Sequence, residues 1–322
     1  MPLLARPLSL RRIALAWMVA AQLMLTFTLL APTAQAQQEP SAPAQPAGPL
    51  LQNPLPSNQV AFMNAYGGRA AKDLEKDKAF GHLVKEVIPK TTYHYGRDMP
   101  LTEAMDDALD GSKLPVLLRD GRYLTVNGER GPYLSGRGFL WFDLQDGVAL
   151  GAFYFTPTNG EPSPTLTVFS KQLTAGALAM SDLPQAFVQD LYQWEAIAKV
   201  PPVSPRYFIP ANGKKYVLVH DEDYCWHPEN SPAPDQAACD KMNAQAADVD
   251  LSAAYFMKET GNAANATAWM LGPDQVAWLA LRDRSCGLNG FTCRIRMTRE
   301  RTWMLIGGSP RPVRPRPQEA SR

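Results

Sequence analysis

FLWFDLQDGVALGAFYF, residues 139–155, consists of two apolar runs, Phe139–Leu144 and Val148–Phe155, separated by Gln145-Asp146-Gly147. A short Asp-Gly loop between β-prone runs is a hairpin signal, because glycine supplies the positive φ that hairpin turns need. A second hairpin lies upstream, with Pro115–Leu118 and Tyr123–Val126 flanking Arg119-Asp120-Gly121. Downstream, Thr165–Phe169 reads as another strand, and Tyr207–Ile209 and Lys215–His220 flank Asn212-Gly213. Between them, LPQAFVQDLYQWEAIAKV (Leu183–Val200) sets Phe187, Leu191 and Trp194 at helical spacing and stops at Pro201-Pro202. Leu101–Leu109 is a second, shorter helix. Residues 60–220 are therefore expected to form an α+β domain rich in mixed sheet.

This region carries no catalytic signature. Gly136-x-Gly138 lacks the third glycine and the following helix of a dinucleotide site. Nucleophile-elbow, zinc-protease and phosphate-loop patterns are absent from the chain. Trp141, Phe142, Phe153, Tyr154 and Phe155 are candidates for a ligand groove, but aromatics on strands serve mostly as core. The one dense run of metal-type ligands is His220-Asp221-Glu222-Asp223 with His227. It flanks Cys225 at a strand end, where acids commonly solvate a loop, and no nucleophile–base spacing accompanies it. A metal-dependent enzyme is thus the weaker expectation: no catalytic residue, metal or cofactor is assigned.

From residue 221 the pattern turns helical. Asp240–Thr260 has neither proline nor glycine, and Ala244, Asp248, Leu251 and Tyr255 share one face. Gly272-Pro273 is expected to break the chain and start a second helix carrying Gln275, Trp278, Leu279 and Arg282. After Cys286, Gly-Leu-Asn-Gly leads to a third helix, Cys293–Ile306. The four cysteines, Cys225, Cys239, Cys286 and Cys293, allow three disulfide pairings. Their separations of 13, 46 and 6 intervening residues do not match the paired ligands of zinc ribbons or fingers.

Residues 225–305 resemble the N-terminal domain of LprI-type lysozyme inhibitors, a family of small four-cysteine helical domains in exported bacterial proteins. The matching positions are Cys225 and Cys239, then Asp248, Leu251 and Tyr255 along one helix. Gln275, Trp278, Arg282 and Asp283 follow, running into Cys286, and the pattern closes with Cys293, Thr298, Arg301 and Leu305. Ala244 departs from it, since the family usually has a larger aliphatic residue there. The resemblance covers about a quarter of the chain and implies a disulfide-stapled helical domain over residues 221–306. With the even cysteine count, it leads to the expectation of Cys225–Cys239 and Cys286–Cys293. It also implies a partner, a lysozyme-like peptidoglycan hydrolase, inhibited by steric occupation of its groove. The target would be a host lysozyme or an exported bacterial effector, which would make the chain an immunity protein. An envelope or secretion-system adaptor is the alternative. The matched residues themselves read as structural, with Arg282 and Asp283 expected to pair with Asp248 or a helix end.

The N-terminus reads as a signal peptide over residues 1–36. Arg6, Arg11 and Arg12 precede the apolar run Ile13–Leu30, and Ala34-Gln35-Ala36 fits cleavage between Ala36 and Gln37. The expected location is periplasmic or secreted, without a membrane anchor after cleavage. Prolines dominate residues 37–59, read as a linker, and recur with arginine in the tail 307–322, read as disordered. The 322 residues carry a formal charge of +1, which becomes −2 without the first 36, so nucleic acid is not an expected partner. Charge is nevertheless segregated: Asp221–Asp274 sums to −8 and Gln275–Arg322 to +7.

Overall fold

In a computed structural model, residues 50–110, 112, 114–129, 136–156, 164–174, 176–262, 268–287 and 290–315 are described. The signal segment, its cleavage site at Ala36 and Gln37, residues 37–49 and the tail beyond 315 lie outside them. The chain begins with short helices α1 (Ser57–Val60), α2 (Ala71–Glu75) and α3 (Lys78–Val87). A small hairpin of β1 (Thr92–His94) and β2 (Asp98–Pro100) leads into α4 (Leu101–Leu109). Next come β3 (Leu117–Arg119), β4 (Tyr123–Glu129), β5 (Arg137–Asp143), β6 (Val148–Phe155), β7 (Thr165–Phe169) and β8 (Leu178–Ala179). Helix α5 (Gln185–Ile197) precedes β9 (Arg206–Ile209) and β10 (Tyr216–Val219). These strands form an eight-stranded sheet in the order β3-β4-β5-β6-β7-β9-β10-β8, antiparallel except at β7–β9 and β10–β8. Asp120 and Gly121 both have positive φ, at 57° and 62°, and Gly147 has φ 65°, which is the turn chemistry the Asp-Gly loops promise.

Both faces of the sheet are covered, which explains why β5 and β6 are continuous apolar runs instead of alternating ones. On one face Leu124, Leu140, Phe142, Phe153 and Phe169 pack with Phe80, Leu83 and Val84 of α3 and Met105 of α4. On the other, Phe139, Trp141, Val168 and Phe208 meet Phe187, Leu191 and Trp194 of α5. Trp194 stacks on Phe139 with ring centroids 5.2 Å apart. The aromatics Trp141, Phe142, Phe153, Tyr154 and Phe155 are all buried, as core and not as a groove. Each such side chain contributes about 1.5–3 kcal/mol of apolar burial before entropy is counted. Asp190 of α5 ties the layers by polar means, accepting from Arg119 Nε (2.9 Å) and Trp141 Nε1 (2.8 Å).

Gly138, considered above as part of a nucleotide motif, has a packing role. It pairs across the ladder with Gly128, directly beneath α4. A Cβ at Gly128 would meet the Ala108 carbonyl and come within 2.6 Å of Leu109 Cα. Two facing glycines thus let α4 lie against β4 and β5.

Residues 50–59 do not extend the proline-rich linker. Leu51 bridges to Leu173, the Leu55 amide bonds to the Gly147 carbonyl, and Val60 is buried. Leu50 and Leu51 pack against the core on the α5 side of the sheet and Leu55 against the core on the other side, which outweighs the bias of the composition.

The C-terminal helices are α6 (Gln236–Asn262), α7 (Ala268–Cys286) and α8 (Phe291–Ile306). Asp235 caps α6 by accepting from the Ala237 amide at 2.9 Å. Helix α7 starts before the expected break, with Pro273 inside it. The missing proline N–H costs one intrahelical bond, near the end where such bonds are fewest. The architecture is α+β, sheet-rich before residue 220 and helical after it. The helices nevertheless share a core with the sheet, in which Trp303, Ala253 and Ala254 pack on Tyr207, Val217 and Val219. The described residues form one compact unit. The first part of the tail is docked too: β12 (Arg314–Pro315) lies parallel to β11 (Glu222–Asp223), and Arg311 pairs with Asp182.

Candidate functional site

Two clusters of polar residues lie in the helical region and its junction with the sheet. The first lies among the helices. Both disulfides are present, Cys225–Cys239 joining the incoming segment to the first turn of α6 and Cys286–Cys293 joining α7 to α8. Arg282, 6% exposed, donates from Nη1 to Asp248 Oδ1 (2.9 Å) on α6 and to Thr298 Oγ1 (3.2 Å) on α8. Its Nε donates to Asp283 at 3.1 Å. Arg301 donates from Nε to Gln275 Oε1 (3.3 Å) and pairs with Asp274. Both guanidinium groups flank the Trp278 ring, 5.6 and 5.7 Å from its centre. Leu251 is buried, Tyr255 and Leu305 are half-buried. One network of motif side chains therefore spans all three helices.

The second cluster lies where β10 hands over to β11. His220 is fully buried, and Asp250 of α6 accepts from its backbone N–H (2.8 Å) and faces its Nδ1 at 2.6 Å. Two residues on, Glu222 accepts from Tyr192 Oη (2.6 Å) and Arg206 Nη1 (2.5 Å), while Glu195 sits on the other side of Arg206 at 3.3 Å. Burial would raise the Glu222 pKa, but Arg206, His220 and the Tyr192 hydroxyl outweigh it and hold it at about 2. Asp250 moves the other way, its pKa raised by burial despite His220. Burial likewise raises that of Asp221, whose Oδ1 accepts from the Ser181 amide at 3.1 Å.

The five metal-type residues of this run do not converge. Asp223 accepts from Asn243 (2.9 Å), and exposed His227 turns its Nδ1 to the Cys225 carbonyl (3.2 Å). Among the described residues, the single group of three metal-type ligands is Cys225, Cys239 and Asp240, whose two sulfurs are bonded to each other. His220 Nε2 has no hydrogen-bond partner among the described residues, so the Asp250–His220 pair is not extended to a hydroxyl or thiol nucleophile. The arrangement serves as a charge-paired clamp between sheet and helices. Its members Asp250, Arg206 and Glu195 lie outside the sequence motifs, because single charged residues bear no mark of burial in a one-dimensional pattern.

Much of the segregated charge is also spent internally. Asp248 pairs with Arg282, Asp274 with Arg301 and Asp250 with His220. What the helices leave to solvent is in part apolar: Val276 and Leu281 of α7 are 67% and 48% exposed, and Met304 of α8 is 68% exposed. A cleft of about 570 Å³ opens between the start of α6, α8 and the returning segment Pro310–Val313. A second, of about 710 Å³, lies between Pro201–Pro205 and the middle of α6.

No protein-family model matches the chain, and no curated protein or solved structure matches it. Disulfide bonding of all four cysteines is the chemistry of an oxidising, extracytoplasmic setting. No helix among the described residues is long and apolar enough to cross a membrane.

Proposed function

We propose that this chain is an exported binding protein that inhibits a lysozyme-type peptidoglycan hydrolase sterically, through an LprI-like helical module. The observation that carries the reading is the network around Trp278. Positions chosen by a sequence resemblance, spread from Asp248 to Arg301, come into mutual contact across three helices, as a shared fold requires. Because those side chains are engaged with one another, the inhibitory contact belongs to the surface outside them. The exposed face of α7 around Val276 and Leu281 supplies an apolar patch of the kind that anchors protein interfaces. Long-range steering by the acidic segment is reduced, since Glu222, Asp248, Asp250 and Asp274 are paired within the molecule.

The test is a lysis assay with the oxidised chain from Gln37 onward against a panel of muramidases, host and bacterial. Inhibition is expected to saturate at stoichiometric protein, and Val276→Asp with Leu281→Asp is expected to abolish it with the circular dichroism spectrum unchanged. Absence of inhibition across the panel at micromolar protein rejects the reading in favour of an envelope or secretion-system adaptor.

A further inference from the structure

We infer that the crevice between edge strand β3, β4 and α5 binds an N-acetylated amino sugar, with its acetamido group seated on Thr125 and Asn127. Across the sheet face that α5 covers, β5, β6 and β7 present apolar side chains, from Phe139 and Trp141 to Leu150 and Val168. Strand β4 is the exception. Its residues opposite Trp141 and Phe139 are Thr125 and Asn127, only 5% and 8% exposed. Neither side chain makes a hydrogen bond among the described residues, and neither is sealed: both line the crevice with polar atoms still accessible. Two buried polar groups left unpaired on a covered sheet face are costly unless a partner from outside the chain completes them.

The walls select an uncharged ligand. Arg119 donates from Nε and Nη2 to the two Asp190 oxygens, each at 2.9 Å, so the two charged residues of the lining neutralise each other. Asn127 offers two N–H donors and a carbonyl, and Thr125 a hydroxyl that donates or accepts, which together complement an amide. Leu117, Trp194 and Ile197 make the other walls apolar, which suits the methyl of an acetamide better than a bare hydroxyl.

The cavity is about 100 Å³, well below the size that encloses a whole ligand, so it takes one group while the remainder stays at the mouth. There Leu117 and Ile197, 42% and 52% exposed, offer an apolar seat for a sugar ring, and exposed Gln193 offers an amide to its hydroxyls. An acetylated lysine carries the same acetamide on a flexible stem whose ordering costs entropy, whereas a sugar ring holds it rigid. Strand addition is closed off too, since the edge beside β3 is taken: Val116 accepts from the Gly68 amide and donates to the Arg69 carbonyl, both at 2.8 Å. These elements are not those of the α7 face, so the site stands or falls without the inhibitory reading.

The experiment is calorimetric titration of the oxidised full chain with three probes: tri-N-acetylchitotriose, cellotriose, which has hydroxyls in place of the acetamido groups, and an acetyl-lysine peptide. Tri-N-acetylchitotriose is expected to bind saturably, with the other two at least about tenfold weaker. Asn127→Leu is expected to weaken binding by at least about tenfold without lowering the melting temperature, since an apolar side chain of similar size replaces an unpaired buried amide. Gln193→Trp, which covers the mouth from the exposed side of α5, is expected to abolish binding with Thr125 and Asn127 intact. Equal binding of cellotriose, tighter binding of the acetyl-lysine peptide, unchanged affinity in Asn127→Leu, or no binding of tri-N-acetylchitotriose overturns the inference. If Asn127→Leu does not fold, Gln193→Trp decides, and unchanged affinity there overturns it.

Discussion

The sheet body and the three-helix region are held by different means. Between β4 and β9 nearly every strand residue is buried, and apolar side chains fill both faces. The helices bury little by comparison: their shared core with the sheet is Ala253, Ala254 and Trp303, and elsewhere they rely on two disulfides and the Arg282 network. The body is thus stabilised chiefly by removal of apolar area from water. The helical region depends on crosslinks and on polar contacts whose worth varies with redox state and pH. Where the two meet, charged groups are buried outright.

That junction is where disruption is expected to be largest. Arg206→Met strands Glu222 and Glu195 without their cation and is expected to cost about 3–5 kcal/mol in chemical denaturation. The same contact sets an acid limit. Glu222 has a folded pKa of about 2, below its ordinary 4.5, so its contribution is complete above about pH 4.5 and is lost as pH falls toward 2. Asp250 and Asp221, with raised pKa values, act in the opposite sense and favour the fold on protonation. Comparing Glu222→Gln with the parent isolates the first effect: the parent is expected to lose stability between pH 4.5 and 2 while the variant loses less. Parallel curves would show that Glu222 does not carry the acid limit.

Reduction sharpens the contrast between the regions. Loop-closure entropy assigns about 2.5–3 kcal/mol to each disulfide. Dithiothreitol is expected to lower helical stability by that order while the near-ultraviolet signal of the sheet aromatics persists, and simultaneous loss of both would show one cooperative unit. Inside the body, Gly128→Ala is expected to cost about 1–3 kcal/mol, because the added methyl meets the backbone of α4. Gly138→Ala should cost less, since the Met105 side chain can give way. The smallest effect is expected for Asp248→Asn, within about 1 kcal/mol by thermal melting, because this partner of Arg282 is 47% exposed and already solvated.

Legibility in the sequence follows the same division. The strands from Leu117 to Val219, apart from the two-residue β8, are readable because apolar runs, several punctuated by Asp-Gly or Asn-Gly, leave few alternatives, and α5 because Phe187, Leu191 and Trp194 repeat at its pitch. Helix α3 is missed although Phe80, Leu83, Val84 and Val87 mark its buried face, because prolines and short segments on either side mask a ten-residue element. Packing of the helices onto the sheet has no periodic signature, since it rests on pairs such as Trp303 with Val217 that are far apart in the chain. For the candidate sites, the cysteines and motif positions stand out by spacing. The junction does not, because Arg206, Glu195 and Asp250 are single charged residues whose burial no local pattern marks.

The order of the disulfides bears on biosynthesis. Cys225 joins Cys239 and Cys286 joins Cys293, so each bond links neighbouring cysteines and the loops neither nest nor cross. In any delivery of the chain from its N-terminus both cysteines of the first pair precede the third cysteine, and the second pair is seven residues apart. Of the three possible sets of pairings, the native one therefore needs the shortest loop closures.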